Sequence, residues 1–212
     1  MKFINIVEKI SDYKVTDQDI KNIEKEINCI LPESYKKFLL AYNGGEPYWD
    51  CFKIRGKLVN GQSSSSSVRF FFGICPDITS VMHNYDIFEA IKGRKNRIPE
   101  ELLPIGTDSF GNDICIGIKG GYYGKIYFWD HELEAGAIKF VYENFGLEVA
   151  MKNTGLTAEE ITNYGDEPTY KNIHFIANSF DEFLDNMTRF DIDDNNNGVT
   201  YFQDGRIEVT SL

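Results

Sequence analysis

The sequence predicts an α+β fold, in which a central, mostly antiparallel sheet is flanked by N-terminal and C-terminal helices. Two amphipathic helical patterns come first, apolar strand patterns fill the middle, and a capped helix comes late. Doubly wound folds instead alternate strands and helices along the chain. A length of 212 residues suffices for one sizeable core, so we expect a single domain over residues 1–212.

The first 45 residues predict two helices. Thr16 and Asp19 form a capping-box pattern, and isoleucines at helical spacing predict a helix over 17–28. Pro32 suits the first position of a second helix, where its missing N–H is not needed. The sequence Asn43-Gly44-Gly45 ends that helix with residues that tolerate a left-handed conformation.

Apolar segments typical of strands fill the middle of the chain. We expect strands at 48–54, 68–74, 114–118 and 125–129. The stretch 56–67, which includes the Ser-rich segment 62–67, has too little apolar surface to order itself and is expected to be a mobile surface loop. Asp77 is a candidate N-cap for a helix that reaches Lys92 and ends at Gly93.

The last third of the chain mixes short patterns. Residues 137–142 fit either a strand or a helix, and the order of the stretch 133–172 is left open. Thr157 with Glu160 forms a capping box, and Ser179 with Glu182 forms another, which opens a helix that includes Phe190. Beyond these we expect a strand at 173–177, a polar loop at 191–198, and a terminal hairpin of strands at 199–202 and 207–210.

Charge is distributed unevenly along the chain. The net charge is -11, and residues 126–212, here called the acidic segment, hold 17 acidic and only 5 basic side chains. Nucleic acid and anionic membranes are poor partners for such a surface, whereas a basic protein is a good one. The simpler alternative is that acidic side chains only keep the protein in solution.

The cysteines and the hydropathy indicate a cytoplasmic protein. Four well-separated cysteines form no CxxC pair, and the N-terminus shows no export-signal pattern, so we expect free thiols in a reducing compartment. No apolar run approaches the roughly 20 residues that cross a bilayer. We expect no membrane association.

One short motif, Asp130-His131-Glu132, offers metal or general-base chemistry. On a regular strand Asp130 and Glu132 share one face while His131 points to the other, so the three side chains cannot all reach one ion. Hydrogen bonds that fix the end of a strand are the simpler interpretation. Elsewhere we find no nucleophile elbow and no phosphate-binding loop.

The stretch from Asp193 to Asp204 partly matches a calcium loop. Asp193, Asn195 and Asn197 occupy the first ligand positions, but Asp204 stands where a longer glutamate is usual, and Thr200 stands where an apolar residue is expected. An ordinary polar loop explains the same residues. We therefore expect no metal, no cofactor and no catalytic residue.

Four blocks of sequence, in the order found in the family, resemble the SUKH superfamily, which includes the Smi/Knr-type regulators. The blocks are Leu31–Gly45 with Pro32, Gly44 and Gly45; Leu103–Cys115 with Gly111 and Asn112; Ile126–Glu132 with Trp129, Asp130 and His131; and Ala177–Leu184 with Ser179. They span about 17–186, and the C-terminal hairpin 187–212 lies outside the resemblance. The resemblance implies an α+β fold in which these motif residues begin helices, end them, or turn the chain.

The resemblance also implies a function. Bacterial members are typically non-catalytic immunity proteins that bind a toxin domain, often a nuclease. With the charge distribution, this predicts neutralisation of a basic toxin, with contacts at Glu159, Glu160, Asp191, Asp193 and Asp194. The alternatives are a regulatory or scaffold module of the Smi/Knr type that binds an endogenous protein and, third, a metal-dependent hydrolase.

Overall fold

A computed structural model of the protein describes residues 5–54, 65–165, 170–193 and 197–211. In these ranges the chain forms seven α-helices and three antiparallel sheets, which confirms the predicted α+β class. The helices are α1 (Asp17–Ile27), α2 (Glu33–Tyr42), α3 (Ile87–Arg94), α4 (Ala135–Phe145), α5 (Leu147–Thr154), α6 (Ala158–Thr162) and α7 (Phe180–Asp185). The strands are β1 (Ile6–Glu8), β2 (Glu46–Pro47), β3 (Cys51–Lys53), β4 (Ser65–Ser67), β5 (Phe70–Phe71), β6 (Leu102–Thr107), β7 (Asp113–Gly117), β8 (Ile126–Trp129), β9 (Ile173–Ala177), β10 (Thr188–Ile192), β11 (Asn197–Phe202) and β12 (Ile207–Ser211).

Two five-stranded sheets form the framework of the described residues. The inner sheet has the order β5-β6-β7-β8-β9, the outer sheet has the order β12-β11-β10-β3-β4, and β1 pairs with β2 in a separate ribbon. The chain passes from one sheet to the other between Ser67, the last residue of β4, and Phe70, the first of β5. This short crossing keeps the sheets adjacent.

The main core packs one face of the inner sheet against α1, α2 and α7. An aromatic cluster lies at its centre. The Phe180 ring centroid is 5.1 Å from that of Phe38, 5.3 Å from that of Tyr35 and 5.9 Å from that of Phe71, and all four side chains are buried. Phe180 therefore joins α7 to both α2 and the inner sheet.

The predicted helix ends are largely confirmed. Thr16 and Thr157 each form a complete capping box. Ser179 forms half of one: its Oγ accepts a hydrogen bond from the Glu182 backbone N–H, but the Glu182 carboxylate accepts from Asn178 instead. Gly44 has φ +73°, and a Cβ there would lie 2.5 Å from the Phe71 backbone oxygen, so only glycine fits.

The predicted helix from Asp77 to Lys92 is wrong. A 3₁₀ turn at Val81–Tyr85 precedes α3, and Asp86 has an extended backbone and caps α3 through bonds from the Phe88 and Glu89 N–H groups. Because a cap residue cannot lie inside a helix, the apolar pattern is interrupted there. Gly93 lies within α3 rather than after it. Pro32 is likewise the N-cap of α2, one position earlier than predicted.

The Ser-rich stretch is only partly the loop that was expected. Ser65–Ser67 form β4. Pairing with β3 satisfies their backbone groups, so this strand does not depend on burial of the serine side chains. The rest of the stretch, with the earlier serines, lies outside the described residues. The predicted strands 48–54 and 68–74 are shorter than expected and contain β3 and β5, respectively.

The C-terminal region also differs from expectation. Helix α7 ends at Asp185, and Phe190 lies in β10, which takes up the start of the predicted polar loop 191–198. Strand β10 is held by β11 on one side and by β3 on the other, where Thr188 is opposite Cys51. The predicted hairpin is present as β11 and β12, and 137–142 is helical, within α4.

Replacing Phe180 by alanine should lower the free energy of unfolding by about 3–5 kcal/mol, because it opens a cavity among buried rings. Urea unfolding followed by circular dichroism measures this. Phe110→Ala is the matched control, since the Phe110 side chain is 80% exposed and its loss should change the free energy by less than about 0.5 kcal/mol. A Phe180→Ala loss no larger than that of the control would contradict the central role of this ring.

Candidate partner-binding surfaces

A groove of about 700 Å³ lies between the two sheets. The ends of β6 and β8 and the turn between β6 and β7 form its inner-sheet wall. Residues of β3, β4, β10 and β11 form its outer-sheet wall. We call it the intersheet groove. Seven residues of the motif blocks line the first wall, namely Asp108, Phe110, Asn112, Phe128, Asp130, His131 and Glu132.

The Asp108 carboxylate organises the inner-sheet wall. It accepts hydrogen bonds from the backbone N–H groups of Phe110 (2.8 Å) and Asn112 (2.9 Å) and from the Asn112 amide (2.8 Å). It also accepts one from the Ser66 hydroxyl on β4 (3.0 Å), which links the two sheets. Gly111, with φ +92°, makes the turn between these donors. Asp108 therefore holds this turn in place and ties it to β4.

Asn112 fixes the orientation of His131. Because the Asn112 amide nitrogen donates to Asp108, its oxygen faces His131 and accepts from the backbone N–H (3.1 Å) and from Nδ1 (2.8 Å). An amide oxygen can only accept, so Nδ1 of the imidazole carries hydrogen. The other ring nitrogen, Nε2, makes no hydrogen bond to the described residues.

Asp130 directly follows Trp129, the last residue of β8, and fixes the end of that strand. The Oδ1 atom of Asp130 accepts from the Glu132 N–H (3.0 Å), and the Asp130 backbone N–H donates to the backbone carbonyl oxygen of Asn172 (2.9 Å). The motif therefore does not continue a regular strand as assumed: a 3₁₀ turn, His131–Leu133, begins directly after Asp130. Asp130 is only 6% exposed, and burial raises the pKa of its carboxyl. The second oxygen, Oδ2, has no donor among the described residues.

The groove also holds a cysteine, Cys51. Burial and the neighbouring Asp50 carboxylate raise the pKa of its thiol to about 11, and the thiol donates to Asp50 Oδ1 (3.4 Å). A cysteine in this state is protonated at neutral pH and is a weak nucleophile. Over the described residues, no three His, Cys, Asp or Glu side chains are grouped as a metal site.

The stretch from Asp193 to Asp204 does not fold as a calcium loop. Strand β11 separates Asp193 from Asp204, and its six residues span about 17 Å, too far for one ion. Asp193 accepts hydrogen bonds from Asn197, and Asp204 pairs with Arg206 at 2.8 Å across the next turn. Asn195 lies outside the described residues.

The predicted contact residues fall into two groups. Glu159 and Glu160 lie in the first turn of α6, whereas Asp191 lies on β10 and Asp193 directly follows it. Asp194 lies outside the described residues. Glu160 accepts hydrogen bonds from the N–H and hydroxyl of Thr157 and pairs with Lys171 (2.9 Å), which lowers the pKa of its carboxyl to about 2. The Glu160 carboxylate is therefore already engaged in capping α6 and in the pair with Lys171. Glu159 and Asp191, by contrast, are exposed.

Helices α4–α6, here called the helical insertion, form a module between β8 and β9. The module has its own small core of Ile138, Ala150, Leu156 and Ile161. It also exposes five large apolar side chains, Phe140, Tyr142, Phe145, Val149 and Met151. Exposed apolar groups beside carboxylates are typical of interaction surfaces. The sequence interpretation missed this surface, although α4 carries more apolar residues than a one-sided helix needs.

Comparisons with known proteins identify relatives of this chain. The sequence model of the SMI1 / KNR4 family (SUKH-1) matches residues 14–147. The SPbeta prophage-derived protein YokK of Bacillus subtilis (strain 168) is 29% identical over 154 aligned positions, which cover 63% of this chain and 76% of that protein. In the described part of the chain, every helix is too short or too polar to cross a membrane.

Replacing Glu160 by glutamine should lower stability at neutral pH, because the neutral side chain loses the Lys171 pair. The folded-state pKa of Glu160 is lowered to about 2, from an ordinary value of 4.5. The ionised carboxylate therefore contributes its full stabilisation at pH values above 4.5, and this stabilisation is lost as the pH falls towards 2. The gap between the urea midpoints of wild type and Glu160→Gln should close over that interval. Glu159→Gln, on the same turn, is the control and should leave the midpoint near that of wild type; a gap independent of pH would contradict this assignment.

Proposed function

Because this chain belongs to the SMI1 / KNR4 (SUKH-1) family, we propose that it is a non-catalytic immunity protein that binds and neutralises a basic bacterial toxin domain, most simply a nuclease. The observation that carries this proposal is the charge of the acidic segment, with 17 acidic and 5 basic side chains. A nuclease surface must attract a polyanion and is therefore basic. An acidic binding surface meets it with complementary potential.

The exposure of acidic side chains supports a role in binding. Glu159 and Asp191 are exposed, as are Glu143 and Glu148 on the helical insertion. Carboxylates in this position accelerate encounter and select a basic partner, while apolar anchors supply most of the affinity. The exposed rings of the helical insertion provide such anchors within the same acidic segment.

The similarity to a prophage-derived protein supports the same proposal. A mobile element is a setting in which protection against a competitor's toxin is useful to the host. The groups that line the intersheet groove support binding rather than catalysis, since Asp108 and Asn112 are used in the turn and the Cys51 thiol stays protonated.

A regulatory or scaffold module of the Smi/Knr type remains the second candidate, because the family match covers that type as well. Such a module would bind an endogenous protein and would inhibit no toxin. An affinity experiment separates the two functions. The immobilised protein is used as bait in lysate of its source organism at low and high salt, and captured proteins are identified by mass.

Immunity predicts capture of a basic polypeptide, weaker capture at high salt, and loss of the captured protein's nuclease or other toxic activity when this chain is added. Capture of an endogenous protein whose activity is unaffected by this chain would favour the regulatory module. Capture of nothing at either salt concentration would contradict both.

Charge reversal tests the acidic surface. The triple variant Asp191→Lys, Asp193→Lys, Asp194→Lys should slow association with the captured toxin at least about tenfold at low salt, and by less at high salt. Surface plasmon resonance measures both rates. The control Asp12→Lys, Glu26→Lys, Glu33→Lys changes the net charge equally but outside the acidic segment, and should affect association much less. Equal effects of the two triples would mean that only net charge matters.

A further inference from the structure

We infer that the intersheet groove is a receptor for one cationic side chain of the protein partner, an arginine guanidinium in preference to a lysine ammonium. The inference rests on the proposed binding function and assigns a partner group to a particular cavity. Its basis is an oxygen of the Asp130 carboxylate that receives no hydrogen bond from the described residues and faces a groove whose described lining holds three carboxylates and one lysine.

The acceptor is Asp130 Oδ2. The side chain lines the groove and is more than nine-tenths buried, and only Oδ1 is satisfied, by the Glu132 N–H at 3.0 Å. Oδ2 is open to the groove rather than sealed from solvent, so it can accept an N–H group of a ligand in place of water. The neighbouring His174 does not neutralise it, because burial lowers the pKa of that imidazole and favours its uncharged form.

The groove has the charge that a cation requires. Asp108, Asp130 and Glu132 face a single lysine, Lys53, among the described lining residues, and Lys53 is exposed to solvent. Hydroxyl oxygens of Thr188 and Thr200 on the outer-sheet wall add neutral acceptors. Three carboxylates against one ammonium favour a positively charged occupant over an anion.

The shape of this site is fixed before a partner arrives. Asp108 already accepts four hydrogen bonds, one of them across the groove from Ser66. His131 is held by Asn112, whose amide oxygen accepts from Nδ1, so the orientation of the imidazole is fixed. A cation can therefore bind without rearranging the wall. This favours binding, because little conformational entropy is lost in ordering the side chains of the site.

Two aromatic rings favour arginine over lysine. Phe110 and Phe190 both line the groove, and they are 80% and 48% exposed, respectively. A planar guanidinium stacks on such a ring while its N–H groups reach a carboxylate, whereas an ammonium is more strongly hydrated and stacks less well. The groove thus combines a carboxylate acceptor with apolar faces of the kind that guanidinium groups use.

A peptide titration tests the inference without any toxin. Isotope-labelled protein is titrated by NMR with acetyl-Gly-Arg-Gly-amide and with the citrulline peptide, which has the same shape but no charge. We expect shifts confined to groove residues such as Phe110, His131 and Phe190, with a dissociation constant on the order of 10 mM, and at least about tenfold weaker binding of the citrulline peptide. The lysine peptide should bind more weakly than the arginine peptide.

Asp130→Asn is the decisive variant, because its amide oxygen can still accept from the Glu132 N–H and retain the turn. It should weaken arginine-peptide binding at least about tenfold, while Glu89→Gln, a control outside the groove, should not. Phe190→Ala, which leaves the charge unchanged, should also weaken binding. Absence of groove shifts at 50 mM peptide (about five times the expected constant), equal binding of arginine and citrulline peptides, or unchanged binding by Asp130→Asn would overturn the inference. Failure of the immunity function would instead appear in the bait experiment, with these shifts preserved.

Discussion

The Asp108 carboxylate is the interaction on which the two-sheet arrangement of the candidate site depends. Its four hydrogen bonds join the end of β6, the turn into β7 and strand β4 of the outer sheet. Through Asn112 the same network reaches His131 after β8. A buried carboxylate satisfied from several directions resists displacement, because moving any one element leaves it unpaired. Asp108 therefore ties the inner-sheet wall of the groove to the outer sheet.

Local signals in the sequence predicted local structure well. The capping boxes at Thr16 and Thr157 form as expected, since each involves residues three positions apart. Gly44 adopts the left-handed conformation that ends α2, and Gly111 turns the chain before β7. The α+β class followed from the order of these elements. Such features need no knowledge of distant contacts.

Features that depend on distant contacts were not predictable from the pattern. Phe190 continues the helical spacing of α7, yet it lies in β10, because pairing with β3 and β11 supplies backbone partners that a longer helix could not reach. Ser65–Ser67 form a strand for the same reason. The intersheet groove brings Cys51 together with His131, which are far apart in sequence. The helical insertion was ambiguous because its apolar residues serve both a small core and an exposed surface.

The structure separates carboxylates that hold the fold from those that are available to a partner. Asp113 is fully buried and forms a two-bond ion pair with Arg94, at 2.8 and 3.0 Å, and Glu160 is engaged by Thr157 and Lys171. Net charge alone therefore overstates the surface offered to a basic protein. The remaining carboxylates differ in their position. Exposed groups such as Asp191 attract a basic partner over a distance, whereas the buried Asp130 side chain interacts with a partner only on direct contact. Because long-range attraction is nearly indifferent to shape, discrimination between basic partners must come from the contact site and from the apolar anchors.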